Sequence, residues 1–184
     1  YQITETDGTK TIDIRLSAAS AKTITVDYAT SATDSFPTFT AATIATSADY
    51  VRDVHVGDLD GDGDLDIISA SKLDNTIAWY ENDGAANPSF TAADIATSAQ
   101  SANDVHVADL DGDGDLDIIS ASMDDDTIAW YENDGAANPT FTAADIVTNA
   151  DSARDVEVAD IDGDGDLDIV SASYNDDTIA WYEN

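Results

Sequence analysis

The stretch Asp58-Leu59-Asp60-Gly61-Asp62-Gly63-Asp64-Leu65-Asp66 constrains this chain more than any other, and it occurs three times. It returns at 109–117 and, with Ile161 in place of the first leucine, at 160–168. Five carboxylates alternate through nine residues with two glycines between them. In water at ~5 Å each like-charged pair costs ~0.8 kcal/mol before screening, so several pairs per loop splay the chain unless something positive sits among them. A hard divalent cation answers that need. Calcium takes six to eight oxygens in loose geometry, and loops with Asp at positions 1, 3 and 5 and Gly at 6 wrap it. Asp58, Asp60 and Asp62 fill the first three positions and Gly63 the bend. Asp64 would offer its backbone carbonyl, and Asp66 would close the shell. The matching sets are Asp109, Asp111, Asp113, Asp115 and Asp117, then Asp160, Asp162, Asp164, Asp166 and Asp168. About three Ca2+ ions, one per repeat, are therefore expected. The other reading of an acidic run is a solvated turn; three near-identical copies in register argue against it.

The period is 51 residues. It separates the acidic loops and also the Trp-Tyr pairs that begin at Trp79, Trp130 and Trp181. Each unit runs from an aromatic start (Phe39, Phe90, Phe141) to Tyr-Glu-Asn, and 83–88 and 134–139 have turn composition. Four short strands are predicted per unit: around 39–44, 53–56, 66–71 and 76–80. No segment holds a 3.6-residue apolar period for three turns. Four strands per unit of this length predict propeller blades. The fold class is then all-β, with three tandem four-stranded blades in an open array, about 35–86, 87–137 and 138–184, preceded by an arm over 1–34. Three blades are too few to close a ring, and a repeat array leaves a bare face at each end.

The loop pattern, followed by Ile-Ile-Ser-Ala-Ser and Ile-Ala-Trp-Tyr-Glu-Asn, resembles the FG-GAP/VCBS repeat of integrin-alpha-like propellers and secreted bacterial proteins. The resemblance covers about 36–184. It implies calcium-binding blades, with the ion held by the aspartates named above. It departs from the family in blade number, since family propellers commonly have seven.

The first 34 residues differ. Residues 11–16 and 23–28 alternate cleanly and predict a β-hairpin carrying Lys10, Arg15 and Lys22, three of the six basic residues. The segment resembles part of a Calx-beta domain, of which about a third is present. An isolated hairpin is marginal in water. It must cap the first blade or add strands to something else, and strand addition to a neighbouring copy would make a head-to-tail assembly. The chain opens at Tyr1, as expected of a processed product or an excerpt.

Against six Lys plus Arg stand 39 Asp plus Glu, a net charge of −33. Nucleic acid and anionic membranes are poor partners for that surface, and no apolar run is long enough for membrane insertion. There is no cysteine, so neither disulfides nor thiolate metal sites arise. His55 and His106 share a repeat position that Glu157 takes in the third copy, which favours a solvated strand face over a ligand role. The tryptophans could form a sugar-stacking row, but their spacing from Ile77, Ile128 and Ile179 favours a packed core between blades. No phosphate loop or nucleophile elbow occurs, and the acids outside the loops sit in polar turns, so no enzyme is expected. The expected function is an extracellular or cell-surface structural or adhesive module whose partners are copies of itself. The alternative is a carbohydrate- or protein-binding module, taking a glycan or a surface protein, from a larger secreted protein.

Overall fold

The computed structural model describes residues 37–184 and, before them, the strands of 3–6 and 9–12. Two units are distinguished, Tyr1–Ala41 and Ala42–Asn184. In the first, β1 (Ile3–Thr6) pairs antiparallel with β2 (Thr9–Ile12), Ile3 opposite Ile12. The predicted partners of 11–16, residues 23–28, lie outside the described residues, and so does most of the Calx-beta-like stretch.

The second unit is all-β. Its first sheet is a meander of β3 (Val51–Gly57), β4 (Asp66–Ser71), β5 (Thr76–Asn82) and β6 (Phe90–Ala96). The second repeats it with β7 (Ala102–Ala108), β8 (Asp117–Ser122), β9 (Thr127–Asn133) and β10 (Phe141–Val147). The third holds β11 (Ala153–Ala159), β12 (Asp168–Ser173) and β13 (Thr178–Tyr182). Each acidic loop joins the first two strands of its sheet. The next turn places Asn75, Asp126 or Asp177 at positive φ, between 54° and 59°. Asn and Asp tolerate that left-handed conformation better than other side chains with a Cβ.

One strand falls elsewhere than predicted. Residues 39–44 form no strand, and their counterparts from Phe90 and Phe141 do not open a sheet but complete the preceding one. Phe90 lies opposite Asn82, and Phe141 opposite Asn133. The linker after Asn82 is the cause. Asp83 donates its amide to the Ser89 carbonyl at 3.1 Å, and its carboxylate accepts the amides of Ala85 and Ser89, each at 3.1 Å. Turn composition here marks a hairpin inside a blade, not the boundary between two. Among the described residues of the second unit, the chain passes between sheets at the short connections after β6 and β10.

Strand alternation gives every sheet two apolar faces. The face carrying Leu59, Ile68, Ile77 and Trp79 packs on Val105, Val107, Ile118 and Tyr131 of the next sheet. One period later, Leu110, Ile119 and Ile128 pack with Trp130 on Val156, Ile169 and Tyr182. The core therefore lies between blades, where Trp79 and Trp130 contribute to packing rather than to a sugar-binding row.

The first strands of the three sheets are also bridged by polar groups. Asp53 accepts the Val105 amide at 3.2 Å, and Asp104 the Val156 amide at 2.8 Å. The His55 and His106 rings lie 4.6 Å apart, and His106 Nδ1 is 3.5 Å from Glu157. These histidines form a half-buried column along adjoining blades, not the solvated face expected. Burial, with the neighbouring His55, lowers the His106 pKa, and Glu157 opposes that shift. Burial pushes Asp104 up to about 7 despite its bond to Val156, with Asp53 and Asp155 adding to the rise. Folded Asp104 thus holds its proton more tightly than the unfolded chain does. Its contribution to stability is present below the ordinary carboxylate range and falls as pH rises through about 7. Asp104→Asn keeps an acceptor for Val156 and removes the charge. Its melting temperature should exceed the parent's by a few degrees at pH 8 and match it near pH 4. An equal difference at both pH values would contradict the assignment.

Candidate metal centres

Each loop is shaped by its own carboxylates. Gly63 at φ +95° turns its amide toward Asp58 Oδ2 at 3.0 Å, a backbone conformation that favours glycine. Asp60 Oδ1 accepts the Asp62 amide at 3.2 Å, and Asp62 Oδ1 the Asp64 amide at 2.8 Å. The second loop repeats these bonds through Asp109, Asp111 and Asp113. In the third, Asp160 takes the Gly163 amide, while Asp162 and Asp164 accept as their counterparts do.

These bonds pin one oxygen of each carboxylate and converge the groups. In Asp58, Asp60 and Asp62 one oxygen from each lies within 4.8 Å of the others, as in Asp109, Asp111, Asp113 and in Asp160, Asp162, Asp164. Oδ1 of Asp58 and of Asp109 is buried without a hydrogen-bond partner. A buried charged acceptor left unsatisfied costs more than a neutral one, whose cost is about 1–3 kcal/mol. Burial raises the Asp60 pKa, the Asp62 amide opposes this, and the charges of Asp62, Asp66 and Asp58 raise it further. Convergent oxygens, an orphaned acceptor and mutual repulsion together fit a hard divalent cation. Each of the three groups could hold one.

The other two predicted aspartates of each loop are placed differently. The Asp64 carboxylate lies against Gly84 and that of Asp115 against Gly135, where a side chain on the glycine would collide with it. Asp66 is buried, accepting the Leu59 amide at 3.1 Å and the Asn82 amide at 2.9 Å. Asp117 does the same for Leu110 and Asn133, and Asp168 for Ile161 and Asn184. The structure thus groups positions 1, 3 and 5 and sets the position-9 carboxylate to tie the loop to the end of the third strand. Burial raises the Asp117 pKa, and the Asn133 and Leu110 amides hold it down.

A residue type that sequence reasoning used only to mark the period completes the site. Asn133 Nδ2 donates to the carbonyls of Leu59 at 2.8 Å and Leu116 at 3.0 Å, joining the first acidic loop to the second. Asn184 joins Leu110 to Leu167 in the same way. Asn82 Nδ2 donates only within its own unit, to Leu65 at 3.0 Å. Loops one and two are therefore braced by the blade that follows, and Leu59 and Leu110 are buried under it. In the third loop Ile161 and all three clustered aspartates are exposed. The repetition of Tyr-Glu-Asn was the available signal.

A model of the FG-GAP-like repeat matches this chain twice, over residues 58–120 and 109–171. The chain belongs to that family. Its repeats are structural and binding repeats that typically occur in extracellular proteins and commonly bind calcium. Searches of the curated proteins and of the solved structures returned no match. Among the described residues no helix is long and apolar enough to cross a membrane.

Asn133→Ala should destabilise the second unit by about 1–3 kcal/mol, because it leaves one buried and one part-buried carbonyl short of a donor. Asn82→Ala, which loses only exposed bonds, to the Leu65 carbonyl and from the Gly84 amide, should cost clearly less. Denaturant melts of the two variants make the comparison, and equal losses would contradict the bracing role.

Proposed function

We propose that this is a secreted or cell-surface repeat protein with a structural or adhesive role, stabilised by calcium and assembling head to tail into a filament with its N-terminal arm at the joint. The observation that carries the calcium part is the convergence of Asp58, Asp60 and Asp62, with one buried oxygen unsatisfied, and its recurrence at Asp109, Asp111 and Asp113. Calcium suits these loops because all their donors are oxygens and their geometry is that of a flexible loop. The family's extracellular setting supports the location: at ~1 mM calcium and site constants of ~0.1–1 mM, each site adds ~0.4–1.4 kcal/mol. Such sites are filled where calcium is plentiful. No reaction is assigned. The clustered carboxylates bind and position the ion, and the buried Asp66, Asp117 and Asp168 hold the loops around it.

The assembly part is supported by the arm's two-stranded sheet, which is marginal alone. The reading predicts that millimolar calcium raises the melting temperature and that a chelator reverses the rise. Protons compete for the same carboxylates, and Asp60 already holds its proton above the ordinary range. The calcium-induced increment should therefore shrink as pH falls into that range. Asp58→Asn with Asp60→Asn should remove about a third of the increment at neutral pH. Scanning calorimetry in calcium and in chelator measures this; identical melts in both would exclude calcium as a stabiliser.

A further inference from the structure

We propose that the groove between the first and second sheets, bordered by β10, binds a primary alkylammonium group, the chemistry that ends a lysine side chain. The inference goes beyond the proposed function and rests on neither its calcium part nor its assembly part. A cavity of about 500 Å³ lies there, between residues 95–99 and one face of β8, β9 and β10. Its lining follows from strand pairing. Ser122 lies opposite Thr127, Ala129 opposite Asp145, and Tyr131 opposite Ala143. Side chains two residues apart on a strand share a face, so three adjoining strands present hydroxyls, a carboxylate and two alanines to one space. The turn before β9 adds Asp125. The register of β10 on β9 shifts just after Asp145, an irregularity of the kind that re-aims a side chain.

Acceptors in this groove outnumber their donors. Asp125 Oδ2 accepts the Gln100 amide at 3.1 Å, but Oδ1 is buried with no hydrogen-bond partner. Tyr131 is 5% exposed, and its hydroxyl lies 3.5 Å from Ser120 Oγ, too long for a strong hydroxyl bond. Asp145 stands exposed at the rim. Burial raises the Asp125 pKa, and the Gln100 amide opposes the rise. Burial also raises the Tyr131 pKa against the Ser120 hydroxyl, and the charges of Asp125 and Asp145 add to the rise. Both carboxylates therefore act on the same phenol. Arg52, Lys72 and Arg154 are the basic residues of 37–184, and none of them lines the cavity.

What the groove lacks is positive charge carrying several donors. An ammonium has three donors and no acceptor, to set against Asp125 Oδ1, the Asp145 carboxylate and the Tyr131 hydroxyl. A methylene stem suits the apolar part of the lining, Ile95, Ala129 and Ala143. A guanidinium fork is served less well, because it uses both oxygens of a carboxylate and the Gln100 amide already holds one of Asp125. Among the described residues the groups that could hold a metal ion are the three loop clusters, and neither Asp125 nor Asp145 belongs to one. A sugar ring finds no open aromatic face, since Tyr131 is buried. An anion would be repelled by both carboxylates.

The test is a titration of the isotope-labelled full chain in calcium at about 0.15 M salt, followed by amide chemical shifts. The probes are Nα-acetyl-lysine methylamide and cadaverine. The lysine compound acetylated also at Nε, which keeps the stem and loses the charge, is the control. Saturable shifts at Gln100, Thr127 and Tyr131 are expected with the charged probes and absent with the control. Binding of the lysine compound assigns the site to protein side chains, and binding of cadaverine alone to free diamines; either sustains the ammonium site. Asp145→Asn should weaken binding roughly 10-fold, and Asp125→Asn added to it by a comparable factor, each removing a charge-assisted bond. Asp125→Asn keeps an acceptor for Gln100, and the exposed Asp145→Asn carries the comparison alone if the double variant fails to fold. Glu81→Gln with Glu132→Gln removes as many charges outside the groove and should leave the affinity within about twofold. Absence of saturable shifts with both probes would overturn the proposal. So would equal binding of the control, or the same weakening in the glutamate variant.

Discussion

Repulsion among closely spaced carboxylates is the constraint on which this structure depends. Each nine-residue loop carries five of them, and the fold deals with them in three ways. Position 9 is withdrawn into the core, where two backbone amides satisfy it, as for Asp66 with Leu59 and Asn82. In the first two loops position 7 is set aside against a glycine, as for Asp64 and Gly84. Positions 1, 3 and 5 are brought together instead, each with one oxygen held by a loop amide. The three that converge repel one another, a repulsion that a divalent cation would relieve. The first, third and fifth aspartates of each loop are thereby a group that could hold a metal ion.

The second constraint is that no blade buries its own apolar surface. A single antiparallel sheet has two faces and no second layer within its own repeat. The core must lie between neighbours, as it does from Ile77 to Val105 and from Ile128 to Val156. Metal loop and core are coupled through this arrangement. Leu59 is at once the second residue of an acidic loop, a core residue, and the carbonyl to which Asn133 of the next blade donates. A loop with a following blade is braced on both sides, and one without it is not. Repeat proteins whose stability lies in neighbour contacts behave in this way.

Much of this was legible in the sequence because it is local. Alternation predicted the strands beginning at Asp66 and Thr76, and the Asp/Gly spacing pointed to all three aspartate groups that could hold a metal. What could not be read depends on partners distant along the chain. The strand from Phe90 was assigned to the wrong side of its linker because Asp-Gly-Ala-Ala-Asn-Pro has the same composition whether it ends a blade or turns within one. The Asp83 carboxylate decides by accepting the amides of Ala85 and Ser89. Asp66 looked like its neighbours in an alternating run, and its withdrawal depends on an amide 16 residues away. The histidine column and the asparagine braces join groups one period or more apart, for which sequence offers only the repetition itself.

The central claim is that the first, third and fifth aspartates of each loop are gathered to surround an ion. Crystals grown in millimolar calcium and examined by anomalous diffraction test it most directly. The account predicts a peak at calcium–oxygen distances of about 2.3–2.6 Å among Asp58, Asp60 and Asp62, and another among Asp109, Asp111 and Asp113. Ordered loops holding only water under those conditions would contradict it.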